Sequence, residues 1–333
     1  MDVISKESRS LVERYRDRLL LDPAAKIVTL GEGSAPILRA EHLSERWNAE
    51  VYILFDGANP TGSFKDRGMT VAVSQALHEG ARAVICASTG NTAASSAAYA
   101  ARAGLTAIVL QPEGAIAAGK LAQSQALGAR LLAVRGSFET TLKSAQELAA
   151  CGDFVLVNSV NPYRLEGQKT AAFELIEALG RAPEILALPY GGGGNTAACF
   201  KGFSESGEGM PRFCCAQAEH RSTTVASAIR IAEPVHAEEV AEAIAVSMGE
   251  IVTVTDEQIL AAWKDLASHE GIFCEPASAA GIAALEVNPP EPGSLVACIV
   301  TGHGLKDPDI AMKHSPEPIP VDPDPDSIAR AVK

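Results

Sequence analysis

Short apolar runs alternate with longer amphipathic stretches along almost the whole chain. Residues 51–55, 83–87, 106–110, 130–134, 154–157, 185–188, 212–216, 251–254 and 295–300 are apolar-rich runs bounded by turn residues, and each predicts a strand. Between them, apolar positions recur at helical spacing and predict helices over 64–78, 92–103, 119–127, 138–150, 163–179, 196–203, 223–231, 237–246, 256–270 and 277–286. A polar helical lead over 1–22, a Gly/Pro-punctuated loop over 29–39 and a short helical piece at 40–47 precede this alternation. The Pro/Asp-rich tail is expected to be extended or disordered over 315–333. Strands that alternate with helices build βαβ units, so the pattern predicts an α/β protein with mostly parallel, twisted sheets covered by helices on both faces.

Composition narrows the function. At 333 residues the chain is too long for one small core and fits a two-lobed unit or two domains. A net charge of −13 argues against nucleic acid or an anionic membrane as partner, while leaving an anionic small molecule possible through local charge. No apolar run approaches a membrane span and the N-terminal stretch is charged throughout, so a cytoplasmic protein is expected. Seven scattered cysteines, with Cys86, Cys199 and Cys298 inside apolar runs, read as buried thiols in a reducing compartment. Cys214-Cys215 has no metal-ligand spacing, and no metal site is expected.

In such folds ligands sit at the carboxyl ends of strands, and several strand-to-helix junctions carry unusual chemistry there. Asn59-Pro60-Thr61-Gly62-Ser63-Phe64-Lys65-Asp66-Arg67-Gly68 hands a strand over to a helix and places Lys65 in the first helical turn. The positive end of the helix dipole disfavours its protonated amine, and a dry site would lower its pKa further, which suits Schiff-base chemistry. Alone, Lys65 would read as a surface lysine beside Asp66. Ser88-Thr89-Gly90-Asn91-Thr92 offers helix-capping side chains that can converge on a carboxylate or phosphate. Gly191-Gly192-Gly193-Gly194-Asn195-Thr196 removes every side chain from a turn that opens a helix, which suits close backbone approach to a phosphate. Thr196 stands where a dinucleotide fingerprint needs its third glycine. Gly114 to Lys120 misses a P-loop because Leu121 replaces the hydroxyl residue, although Lys120 could still reach a substrate anion. Asn158-Ser159-Val160-Asn161-Pro162-Tyr163-Arg164 brings amide, hydroxyl and guanidinium donors together, and Arg164 suits a bidentate phosphate contact. The usual fate of such an arginine is a surface ion pair. Thr301-Gly302-His303-Gly304-Leu305-Lys306-Asp307-Pro308 places a hydroxyl at a strand end, with His303 read as a turn residue.

Taken together, NPTGSFKDRG, ASTGNT, NSVNPYRLEGQKTAAFE, EPASAA at 275–280 and TGHGLKDP resemble, in content and order, the pyridoxal-phosphate enzymes of fold type II, and within them the threonine synthases. The likeness spans roughly 30–308. It implies a large cofactor-binding lobe from 1–57 and 161–333 and a smaller mobile lobe over 58–160. It implies that Lys65 forms the Schiff base with pyridoxal 5′-phosphate and moves protons. Asn91 corresponds to the residue that bonds the cofactor's 3′-oxygen, and Gly191, Gly192, Gly193, Gly194 and Asn195 to the phosphate cradle. Thr301 corresponds to the hydroxyl partner of the pyridine nitrogen. Ser88, Thr89 and Thr92 lie where the substrate carboxylate is held, and Ser159 and Arg164 where the phosphate of O-phosphohomoserine is held. The implied activity is conversion of that substrate and water to threonine and phosphate, by a homodimer.

This sequence departs from the family pattern at several points. The usual GNAGN loop is GGGGN, closer to serine/threonine dehydratases, and the common Thr-Pro is Ala35-Pro36. Leu54 replaces a lysine in the strand before the Lys65 motif, and Glu219-His220-Arg221-Ser222 replaces a longer small-residue stretch. A dehydratase, or a β/γ-replacement enzyme of specialised amino-acid metabolism, is therefore the alternative reading. A non-catalytic metabolite-binding module is the third, opposed by the intact Lys65.

Overall fold

The apolar runs become strands that sort into two sheets. The structure, a computed structural model, describes residues 10–114, 118–152 and 154–332. Six strands form one sheet: β1 (Ile37–Arg39), β2 (Glu50–Phe55), β7 (Ile185–Pro189), β8 (Arg212–Ala218), β9 (Glu250–Val254) and β10 (Leu295–Val300), in the order β1-β2-β10-β7-β8-β9. The other sheet holds β3 (Ala83–Ala87), β4 (Thr106–Pro112), β5 (Arg130–Val134) and β6 (Val155–Leu156), in the order β5-β4-β3-β6. Among the described residues the named strands pair in parallel except for the antiparallel β1–β2. The central strands β3, β7 and β10 are buried at every residue, because helices cover both faces. Alternate β10 residues accordingly feed different cores: Val296, Cys298 and Val300 join one, Ala297 and Ile299 the other. The edge strands β5 and β9 leave residues exposed.

Four sequence expectations are corrected. Residues 37–39 form β1, a three-residue edge strand that only its pairing with β2 reveals. The helix expected over 163–179 is two, Pro162–Gln168 and Thr170–Leu179, breaking just after Gly167, whose missing side chain lets it press on the Arg67 carbonyl. The helix expected over 223–231 is a single 3-10 turn, Ser227–Ile229. Asp256 accepts hydrogen bonds from the Val225 N–H and the Thr224 hydroxyl, and Arg230 caps the Thr224 carbonyl, so side chains take groups a helix would need. The tail carries a helix, Pro325–Ala331, with Pro at its start and the Asp324 carboxylate accepting from Asp326 and Ser327 N–H groups.

The N-terminal lead reduces to Leu11–Arg14, closed by a Ser10/Glu13 capping box, and a 3-10 turn; its first nine residues lie outside the described ones. Residues 115–117 and the side chain of Lys120 also lie outside them, so the near-miss P-loop and the Lys120 expectation have no structural account. Among the described residues no helix is long and apolar enough to cross a membrane.

Candidate active site

Lys65 opens the helix Lys65–His78 immediately after β2 and its connecting loop. The Phe64 N–H donates to the Thr301 carbonyl at 2.9 Å, and Ser63 bridges Gly302, so this loop lies along the carboxyl end of β10. The Lys65 ammonium is pushed down to about 7, first by burial and then by the positive charge of Arg164, with Glu275 partly opposing. Its Nζ sits 4.2 Å from the Phe64 ring centroid. The surface-lysine alternative therefore fails on environment: burial and the Arg164 charge both favour the free-base form of this amine.

Glu275, buried at the start of the helix Pro276–Val287, ties the surrounding loops together. Its backbone N–H donates to the Gly302 carbonyl, and the Asn91 amide donates to both carboxylate oxygens at 3.0 and 3.2 Å. Asn91 opens the helix that follows β3, so this contact joins the two sheets' loops. Gly302 permits the approach, since a Cβ there would collide with the Glu275 carboxylate. The buried Thr301 hydroxyl lies 3.0 Å from Ser278 Oγ, which also accepts from the Gly302 N–H. Ser88 caps the turn before Asn91 by accepting from Gly90 and Ala93, and Thr89 and Thr92 are half-buried on either side of Gly90-Asn91.

Arg164 is fully buried, on the helix Pro162–Gln168 that crosses the Lys65 helix. Its Nη1 donates to the Val157 carbonyl at 2.8 Å, while among the described residues Nε and Nη2 have no hydrogen-bond partner. Burial lowers this guanidinium to about 10. A charged donor held dry and unpaired is costly, so the surface-pair alternative is excluded and an anion is wanted.

The tetraglycine turn ends β7 and opens the helix Gly194–Ser206. Gly193 has φ +86° and lies against Val240 and the His236 carbonyl, so no side chain fits there. The first N–H groups of this helix point outward without intrahelical partners, and the buried Asn195 Nδ2 likewise has none among the described residues. Ser159 lies beside Gly194, at 3.5 Å from where its Cβ would stand, which places the loop after β6 against the glycine turn. The donor set of the turn, backbone N–H groups and an unpartnered amide, is right for a phosphate, and Lys65 supplies an amine that can condense with a carbonyl. These residues fit pyridoxal phosphate.

Sequence reasoning missed four contributors. His236 bonds the Ser159 carbonyl through Nε2 and Glu239 through Nδ1, each at 3.1 Å, while its own N–H donates to the Gly192 carbonyl. Arg221 stacks on Tyr190 at 4.5 Å and donates to the Gly191 and Ile231 carbonyls, bracing the glycine turn from the altered 219–222 stretch. Glu275 and Ser278 were visible only as part of a motif. His303 caps its own turn through Nδ1, as a turn residue should.

A profile of the family described as "Pyridoxal-phosphate dependent enzyme" matches residues 28–302, most of the chain. This chain belongs to that family. Within it the sequence runs with the threonine synthases. It is 48% identical to the threonine synthase of Halalkalibacterium halodurans, over 91% of both chains. It is 47% identical to that of Mycobacterium tuberculosis H37Rv (94% of this chain, 93% of the relative) and 44% to that of Methanocaldococcus jannaschii (97% and 87%). Solved structures of the same fold include maize serine racemase, at TM-score 0.72 and 20% identity over 84% of this chain and 91% of that one. Escherichia coli diaminopropionate ammonia lyase superposes at TM-score 0.75 with 15% identity, over 86% and 88%. The family's cofactor is pyridoxal phosphate.

Proposed function

We propose that this protein is a threonine synthase that converts O-phospho-L-homoserine and water to L-threonine and inorganic phosphate. The observation that carries the reading is Arg164, a buried guanidinium whose Nε and Nη2 have no partner among the described residues and whose charge depresses the Lys65 amine. A dehydratase acting on serine or threonine has no substrate phosphate for such a group.

Bound at Lys65, pyridoxal phosphate would supply an electron sink that acidifies the hydrogens on the substrate's α and then β carbons. Gly191 to Asn195 would hold the cofactor's phosphate, Asn91 its 3′-oxygen side, and Thr301 its pyridine nitrogen as a neutral partner. Lys65 Nζ, titrating near 7, can both take and return protons at neutral pH. Arg164 and Ser159 receive the substrate phosphate, which leaves with the electron pair of the Cγ–O bond. Cγ would then gain a proton, water would add its oxygen at Cβ and give up a proton, and the proton taken from Cα would be returned there, with Lys65 Nζ as the carrier. Ser88, Thr89 and Thr92 would position the substrate carboxylate, and closure of the 58–160 lobe would keep other water out.

The test supplies O-phospho-L-homoserine to the cofactor-loaded protein and assays phosphate and threonine together. Equal release of both is expected. Phosphate with 2-oxobutyrate would mean elimination without water addition. Turnover of serine or threonine alone would return the tetraglycine loop to the dehydratase reading.

A further inference from the structure

Beside one face of the six-stranded sheet, three side chains converge that the proposed chemistry leaves unused. His42 comes from the helix Glu41–Trp47, and Asp265 and His269 from successive turns of the helix Asp256–His269. One ligand atom from each lies within 4.8 Å of the others. The His269 Nδ1 is 2.7 Å and the His42 Nε2 3.6 Å from the same Asp265 oxygen, Oδ1. The two imidazoles stack with centroids 4.2 Å apart and planes 11° from parallel. Asp265 is mostly covered while both rings remain open to solvent, at 36% and 50% side-chain exposure, so an ion has a path in.

A cation already stands at this cluster. Arg46 reaches Asp265 Oδ2 at 2.8 Å and His42 Nε2 at 2.7 Å, and it also pairs with Glu286. A guanidinium can only donate, so in this contact His42 Nε2 is the acceptor and its lone pair faces the cluster. Two imidazole nitrogens and a carboxylate oxygen around a positive charge are the donor set of a first-row divalent cation rather than of calcium or magnesium. Glu286 offers Arg46 a place to retreat.

We propose that His42, Asp265 and His269 bind a zinc-class divalent cation, with Arg46 as the internal cation that competes for the site. Binding displaces the Arg46 contacts to Asp265 and His42, turns one imidazole out of the stack so that both in-plane lone pairs reach the ion, moves the His269 proton from Nδ1 to Nε2, and leaves further positions to water. The ion would clamp the helix over β1 and β2 to the helix after β9, away from Lys65.

The experiment titrates the cofactor-loaded protein, dialysed against chelator, with Zn²⁺ alone, following stoichiometry by calorimetry and the melting temperature. One equivalent is expected, with a melting temperature that rises with zinc. His42→Ala and His269→Gln should each weaken binding at least about tenfold and cancel the thermal shift. Arg46→Met should tighten binding, which a purely structural arginine would not do. Binding unchanged in both histidine variants, or none in the parent and Arg46→Met proteins, overturns the proposal.

Discussion

Two cationic side chains, the half-buried Lys65 and the fully buried Arg164, shape the chemistry at the scale of single residues. Burial and Arg164 together bring Lys65 from an ordinary 10.5 to about 7. In cofactor-free protein, covalent capture of added pyridoxal phosphate should therefore accelerate as pH rises through about 7 and level off well below 10.5, followed by absorbance. A rate still climbing at pH 9.5 would contradict that environment. The sign for stability follows the same logic. The folded state loses this proton near 7 and the unfolded chain only near 10.5, so the group's destabilising effect is full below pH 7 and relieved above it. Lys65→Ala should reduce turnover by about a thousandfold or more, since nucleophile and proton carrier vanish together. Arg164→Met makes a different prediction. Removing a dry, half-satisfied charge should leave thermal stability unchanged or improve it by roughly 1–2 kcal/mol, while KM for the phosphorylated substrate rises steeply. A variant that unfolds, or one that loses phosphorylated and unphosphorylated substrates equally, would argue that Arg164 is structural.

Lys65 and Arg164 meet because the helices that carry them can touch backbone to backbone. Helix Lys65–His78 crosses helix Pro162–Gln168 at Gly68 and Gly167. A Cβ on Gly167 would strike the Arg67 carbonyl, and one on Gly68 would stand 2.7 Å from Arg164 Nε. Gly167→Ala should cost about 2–3 kcal/mol by overpacking and, by prying the helices apart, should weaken cofactor retention in parallel. Chemical denaturation and cofactor absorbance measure the two; intact retention with the full stability loss would uncouple crossing from site. Much at this scale was legible beforehand. The apolar runs marked nine strands, most plainly β3, β7 and β10, which are buried on both faces. The helix expected at 223–231 failed because Asp256, distant in sequence, competes for its backbone groups.

Across the whole molecule, a buried ionic network holds the Lys65 segment to the large sheet's helices. Arg67, 1% exposed, bonds Asp56 after β2 at 2.8 Å and Glu174 on the helix Thr170–Leu179 at 2.7 Å. Those carboxylates push the guanidinium above its usual range, so it stays charged. Arg67→Ala should destabilise the fold by about 3–5 kcal/mol, because two carboxylates are left buried without their partner. Equilibrium unfolding in urea checks it, and a loss under about 1 kcal/mol would show that solvent reaches the network. Lys306 adds a tie from the loop after β10 to the four-stranded side, donating to the Thr61 carbonyl at 3.0 Å and to Gln123 at 2.7 Å.

The sequence by itself determined the alternation of strands and helices, the Lys65 turn and the tetraglycine turn. Each depends on neighbouring residues: hydrophobic period, capping side chains and the absence of Cβ atoms are local properties. Only the tertiary structure decided that Arg164 is dry with two nitrogens unpartnered among the described residues, that Asn91 meets Glu275, and that His236 and Arg221 brace the glycine turn. Burial and charge proximity arise where segments far apart in the chain are packed together. A string of residues does not contain how far Lys65 is covered or how near Arg164 comes to it, and these, burial first, set the amine's proton affinity.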